Sequence, residues 1–273
     1  MAGNALTNQF NIGTATVMVG PMADVLTLTP EQHSIGLVKA VTLTSETNEV
    51  TLTQGIRNTI VDSQVTGVTS TVTMEVYEYT AKNLAYAAQL DGAEYSTGKV
   101  MKLKTPITGG ESATSVVLEA ESDVSASFTK GTRIQIQASG DKKYDKVFIG
   151  VLSENASYDS SAQTLTLTLK GAIPTGWSFA AGDEVFSVSV IPVGSDRPQP
   201  YYGVKIVGIL PNGNEPVTII IPKAKVSSGI TLGFNTDNYG NLPFEFTPYD
   251  LTADDENYSE FAEYGASVLV YKR

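Results

Sequence analysis

The sequence predicts a mainly β protein with one flanking α-helix and a small all-β domain inserted into its chain. Three observations predict this. Apolar residues alternate with Thr at period two, as in Thr71-Val72-Thr73-Met74-Glu75-Val76-Tyr77. Across the middle of the chain, short strand-like runs are separated by Gly, Ser and Asp turns. Only one stretch, Thr80–Leu90, has helical spacing behind a good N-cap.

The bulk properties suit such a protein. The chain has 273 residues, of which 41% are hydrophobic and 17% charged. That length buries roughly 70–75% of the extended surface, enough for a true core. The charged fraction is low, and Thr, Val, Ser and Gly take its place, favouring strands and turns. There is no cysteine, so disulfides, thiolate zinc sites and Cys nucleophiles are excluded together.

Taken in order, Val41-Thr42-Leu43-Thr44 and Val50-Thr51-Leu52-Thr53 read as half-buried strands, with Val and Leu inward and Thr on a wet face. Residues 71–79 repeat the pattern, with Val72, Met74 and Val76 aimed at the core. Thr80 caps the helix, Leu84, Ala87 and Ala88 share a face, and Asp91-Gly92 is the expected stop. Five short strands follow, at Ser115–Ala120, Thr132–Ala138, Lys146–Ser153, Thr164–Lys170 and Glu184–Ile191. They read as a small barrel or sandwich. The Pro-rich stretch Val193–Pro200 then reads as a return linker. This divides the chain into a discontinuous core domain, 1–104 and 200–273, and an inserted domain, 105–199. A single continuous sandwich is the alternative. The core resumes with a hairpin, Tyr201–Leu210 and Glu215–Ile221 about Asn212-Gly213, and continues through Ile230–Asn235, Leu242–Thr247 and Ala266–Lys272.

Net charge is −11, and acidic groups exceed basic ones in all three stretches: 9 to 6 over 1–104, 11 to 7 over 105–199, and 9 to 5 over 200–273. A protein that grips nucleic acid needs a basic footprint, so tight DNA binding is not expected. Neither a secretory signal nor an apolar run long enough to span a membrane is visible. Assembly in the cytoplasm is the expectation.

The search for catalytic chemistry finds little. His33 is the only histidine and reads as a surface or interface residue in a turn. Asp254-Asp255-Glu256 lacks the alternate-oxygen spacing of a calcium loop, and Asn235–Gly240 echoes that spacing only with Tyr239 at a ligand position. No G-x-S-x-G, P-loop, dinucleotide or zinc spacing occurs. Trp177 is the only tryptophan, a poor supply for sugar stacking. The expectation is a non-enzymatic protein without cofactor or metal.

Two stretches resemble the tail tube, or major tail, proteins of tailed bacteriophages. Val68–Ala85 is similar to a strand followed by that family's helix motif, here Glu78-Tyr79-Thr80-Ala81-Lys82-Asn83-Leu84-Ala85. Tyr202–Leu210, Ile219–Val226 and Phe234-Asn235 through Leu242–Thr247 are similar to its C-terminal strands. The resemblance implies a β-sandwich or partial barrel that assembles into six-fold rings stacked as a tube, with the insertion facing outward and a non-contractile tail. By family analogy the partners are further copies of the chain, a tape-measure protein, a tail terminator, distal tail or baseplate proteins, and DNA in passage. Location in the virion tail follows. On this reading the Thr-rich wet faces line the channel, which makes Thr51, Thr53, Thr71, Thr73 and Glu75 the candidate lumen residues. Glu75 would recur six times per ring. The alternatives are a virion decoration or adhesin-type β protein, and a carbohydrate-binding protein or enzyme.

Overall fold

The computed structural model describes residues 14–139, 146–209, 216–233 and 239–272. In chain order, its elements begin with β1 (Thr14–Gly20), α1 (Pro30–His33), β2 (Val38–Gln54), β3 (Thr59–Val76) and α2 (Ala81–Ala87). Next come β4 (Val100–Lys102), β5 (Ile107–Thr108), β6 (Ser115–Glu119), β7 (Arg133–Gln137), β8 (Val147–Val151), β9 (Ser157–Asp159), β10 (Thr164–Thr168), β11 (Ser178–Phe179) and β12 (Glu184–Val188). Last are β13 (Tyr202–Ile209), β14 (Val217–Val226), β15 (Leu242–Pro248), α3 (Tyr258–Phe261) and β16 (Leu269–Lys272). The protein is mainly β, and among the described residues all ladders are antiparallel and the longest helix has 7 residues.

The chain divides into two compact units, residues 1–95 with 191–273, and residues 96–190. The limits therefore fall at 95/96 and 190/191, not at the 104/105 and 199/200 expected from composition. The reason is pairing: Val100–Lys102 lies against Phe186–Glu184, so these residues belong to the second unit. Gly98 also sits there with no room for a side chain, since a Cβ would lie 1.6 Å from the Ser187 carbonyl oxygen.

In the first unit a seven-stranded sheet runs β1-β13-β14-β15-β3-β2, with β16 also on β14. It curls until Ile35 N–H, just before β2, donates to the Val17 carbonyl of β1 at 3.1 Å. The enclosed face carries the main core, including Val17, Val72, Met74, Val204, Ile221, Phe244 and Phe246, with Tyr86 of α2 packed in. On the reverse side of β1 and β14, Met18 and Ile220 join Val25, Leu28 and Phe261 in a smaller core. Both faces of these strands are thus covered, which explains the unbroken apolar runs Val17-Met18-Val19 and Ile219-Ile220-Ile221.

Thr80 caps α2 by accepting from Asn83 N–H at 3.1 Å, as expected. The helix stops at Ala87, earlier than Asp91-Gly92. Gln89 takes φ +63° and Leu90 N–H bonds back to the Ala85 carbonyl at 2.9 Å, closing the end with a left-handed cap. Gly92 serves a different purpose: a Cβ there would lie 2.6 Å from the Tyr86 ring. The strand expected at Ile230–Asn235 does not form over 230–233, and its remainder, like the turn about Asn212-Gly213, lies outside the described residues.

In the second unit two sheets close on each other. β6-β10-β9 and β4-β12-β7-β8 are joined by bridges Leu103–Leu118 and Leu152–Leu169, so β4, β6, β10, β8, β7 and β12 form a closed ring. Inside it sit Leu118, Phe128, Ile134, Ile136, Leu152, Leu165 and Val185. Closure removes most free edges from this barrel.

Candidate functional site

The polar face of the β2-β3-β15 sheet is built by alternation. Val72, Met74 and Val76 are buried, while Thr73 is exposed and Thr71 and Glu75 are half-buried on the reverse side. Register then sets their neighbours: Lys39, Glu75 and Pro243 form one row, and Thr42, Thr73 and Glu245 the next. Thr44 stands opposite Thr71, and Lys225 of β14 opposite Thr247. This face carries Lys39 and Lys225 together with Glu75 and Glu245, and Glu46 and Asp62 farther along the ribbon.

Glu75 is held by its surroundings. Tyr77 Oη donates to its carboxylate at 2.7 Å, and the Lys39 ammonium lies 4.7 Å from the centre of the Tyr77 ring. The bond from Tyr77, then one from Asn241 and the Lys39 charge, hold the Glu75 carboxyl below the usual range despite some burial. The same bond pushes the Tyr77 hydroxyl up. Glu75 thus has Tyr77 as its hydrogen-bond donor and Lys39 as its cross-strand neighbour.

Thr51 and Thr53 do not share this face, contrary to the expectation. Thr44 faces with Thr71, so alternation along β2 carries that side to Glu46, Asn48, Val50 and Leu52. The bulges at Asn48/Glu49 and Leu52/Thr53 place the extra residue in β3 and leave β2 in phase. Ser63 Oγ, beside Thr51, donates to Glu49 at 2.8 Å, fixing these three on the other side. The five candidates thus separate into Thr71, Thr73 and Glu75 on one face and Thr51 and Thr53 on the opposite one.

The inward placement of Val50 and Leu52 is also overturned: each is 63% exposed. The two alternating segments of residues 41–53 are one strand. β2 has 17 residues and β3 18, paired from Val38–Val76 to Gln54–Thr59 around a turn at Gly55–Asn58. β15 reaches only to Val72, so beyond it no third strand covers the ribbon among the described residues. Val50, Leu52, Ile56, Ile60, Val61, Val65 and Val68 all stand exposed along it. The signal in the sequence was the absence of any Gly or Pro between Thr42 and Gln54, mirrored after the turn as far as Thr66.

No protein-family model matches the chain, and no curated protein sequence matches it significantly.

The residues singled out for chemistry have structural duties. His33 Nδ1 accepts from Thr29 N–H at 3.2 Å. Asp255 takes the Lys223 ammonium at 2.7 Å and also accepts from Thr252 N–H and Oγ1. Trp177 packs on the barrel core beside Phe148 and Phe179. Among the described residues no three His, Cys, Asp or Glu gather as a metal site, and no helix is long and apolar enough to cross a membrane.

The segment Glu78–Ala85 is a latch. Glu78 accepts from Leu37 N–H at 2.9 Å, and Asn83 Nδ2 donates to the carbonyls of Ile35 and Glu78, both at 2.9 Å. Gly36, at φ +83°, leaves space for the Glu78 carboxylate, since a Cβ would lie 2.2 Å from it. The helix and the start of β2 are thereby tied together.

Proposed function

We propose that the chain is a non-enzymatic structural virion protein, a phage tail tube subunit that self-assembles into stacked, six-fold rings around a channel for DNA. The observation that carries this reading is the β2–β3 ribbon. A two-stranded ribbon alone is marginal in water, and this one leaves apolar side chains uncovered on both of its faces. Burying each Val, Leu or Ile contributes about 1.5–3 kcal/mol, against the cost of association. Seven such residues on one projection therefore favour a permanent partner over solvent.

The polar sheet face supports the conduit half of the reading. Thr hydroxyls and interleaved acidic groups offer no run of cations to release counterions from DNA, so on this reading DNA slides past instead of binding. Heterologous contacts that close give a ring, and a repeated axial contact then gives a tube. On this reading the barrel of residues 96–190 faces outward. The tape-measure, terminator and distal tail proteins are the other partners, and the protein resides in the virion tail. Sedimentation of the intact chain against one with the ribbon shortened at Asn48 and Gly67 tests the reading. The intact chain should form large species with rising concentration, and the shortened one should remain small.

A further inference from the structure

The sheet of the first unit has an opening. β15 pairs with β3 only from Val72 to Val76, and β16 pairs with β14 only from Val217 to Ile220. Between the outer edge of β16 and β3 before Val72 lies a notch of about 420 Å³. Leu43 and Val268 reach the main core from its floor, while Val68 and Val270 stand exposed on its walls. β3 before Val72 and Leu269–Tyr271 of β16 each have a strand on one side only among the described residues, the arrangement that accepts an added extended segment.

We propose that this notch receives the Gly55–Asn58 turn and adjoining strand ends of a second copy of the chain, an inference that rests on the self-assembly reading. The chemistry matches. The ribbon end offers Leu52, Ile56 and Ile60, all exposed, to a half-apolar slot. Arg57 at the turn and Asp250 at the notch rim are opposite charges, both exposed, and neither makes an ion pair among the described residues. The same copy cannot supply the insert, because its own β2–β3 ladder runs unbroken in direction from the notch out to the turn. Donor and acceptor sit at opposite ends of one ribbon, so the contact is head-to-tail and propagates. Its repeat is the ribbon length from Ser45 to Ile56, roughly 35 Å at about 3.3 Å per residue.

The chain contains no cysteine, which makes cross-linking unambiguous. Full-length Ile56→Cys and Ala266→Cys variants, mixed and mildly oxidised, should give a disulfide-linked dimer that neither gives alone. Arg57→Asp and Asp250→Arg should each raise the concentration needed for assembly about tenfold, and the two in one chain should restore it. If the variants sediment as large assemblies without the cross-link, and the charge changes have no effect, the notch is not the receptor although self-assembly stands. If the unaltered chain stays monomeric, the self-assembly reading falls and this contact falls with it.

Discussion

Asn83 Nδ2 donates to the carbonyl of Ile35 across 48 residues of chain, at 2.9 Å. Its second N–H holds the Glu78 carbonyl, so one buried amide fixes α2 against the entry to β2. Asn83→Ala leaves two carbonyls without that partner and should cost about 2–4 kcal/mol. Urea unfolding checks this: the midpoint should fall while the slope stays unchanged.

Asp255 supplies an acid-sensitive contact. Burial pushes its carboxyl up, but hydrogen bonds from Lys223 and Thr252 and the Lys223 charge outweigh burial and hold it below the usual range. A lowered folded value means the stabilisation is complete above the ordinary carboxylate range near pH 4 and is lost as pH falls through the folded value. Asp255→Asn should therefore be less stable than the parent at pH 7, and the gap should narrow as pH falls below the ordinary carboxylate range. Thermal unfolding across that range measures it.

The barrel of residues 96–190 should be removable. Its two chain ends lie side by side, with Ser189 Oγ donating to the Ser96 carbonyl at 3.3 Å and Ser187 N–H to the Lys99 carbonyl at 3.0 Å. Replacing the unit with a short Gly/Ser linker should leave a folded first unit that still assembles, because inserted domains with adjacent ends detach cleanly. An insoluble or molten product would show that the span belongs to the core.

How much of this was legible varied by element. Val72, Met74 and Val76 were readable as core because alternation there coincides with burial by β15 and α2. The same alternation misled at Val50 and Leu52, since period two reports which residues share a face but not whether anything covers it. Thr51 and Thr53 were grouped with Thr71 and Thr73 by residue type, whereas relative phase depends on cross-strand register, which one strand's sequence does not carry. The notch at Val68 and Val270 depends on where β15 ends and β16 begins, a tertiary fact. Asn83 was visible as part of a motif, but its bond to Ile35 was not.

Glu75 tests the channel. Glu75→Lys places a second cation across from Lys39 and changes the charge of the chain by two, which the proposed tube would repeat around each ring. Inside a narrow passage with low-dielectric walls such charges focus the field on DNA. Mutant tails should assemble but eject DNA slowly, with a defect that eases at high salt. Normal kinetics from fully assembled mutant tails would place this face outside the lumen.

Assembly itself is the most direct test. Purified full-length chain, imaged by negative-stain electron microscopy over a rising concentration series, should form rings that lengthen into hollow tubes with an axial repeat of roughly 35 Å, the ribbon length at about 3.3 Å per residue. Isolated monomers at every concentration, with sedimentation agreeing up to the millimolar range, would contradict the account.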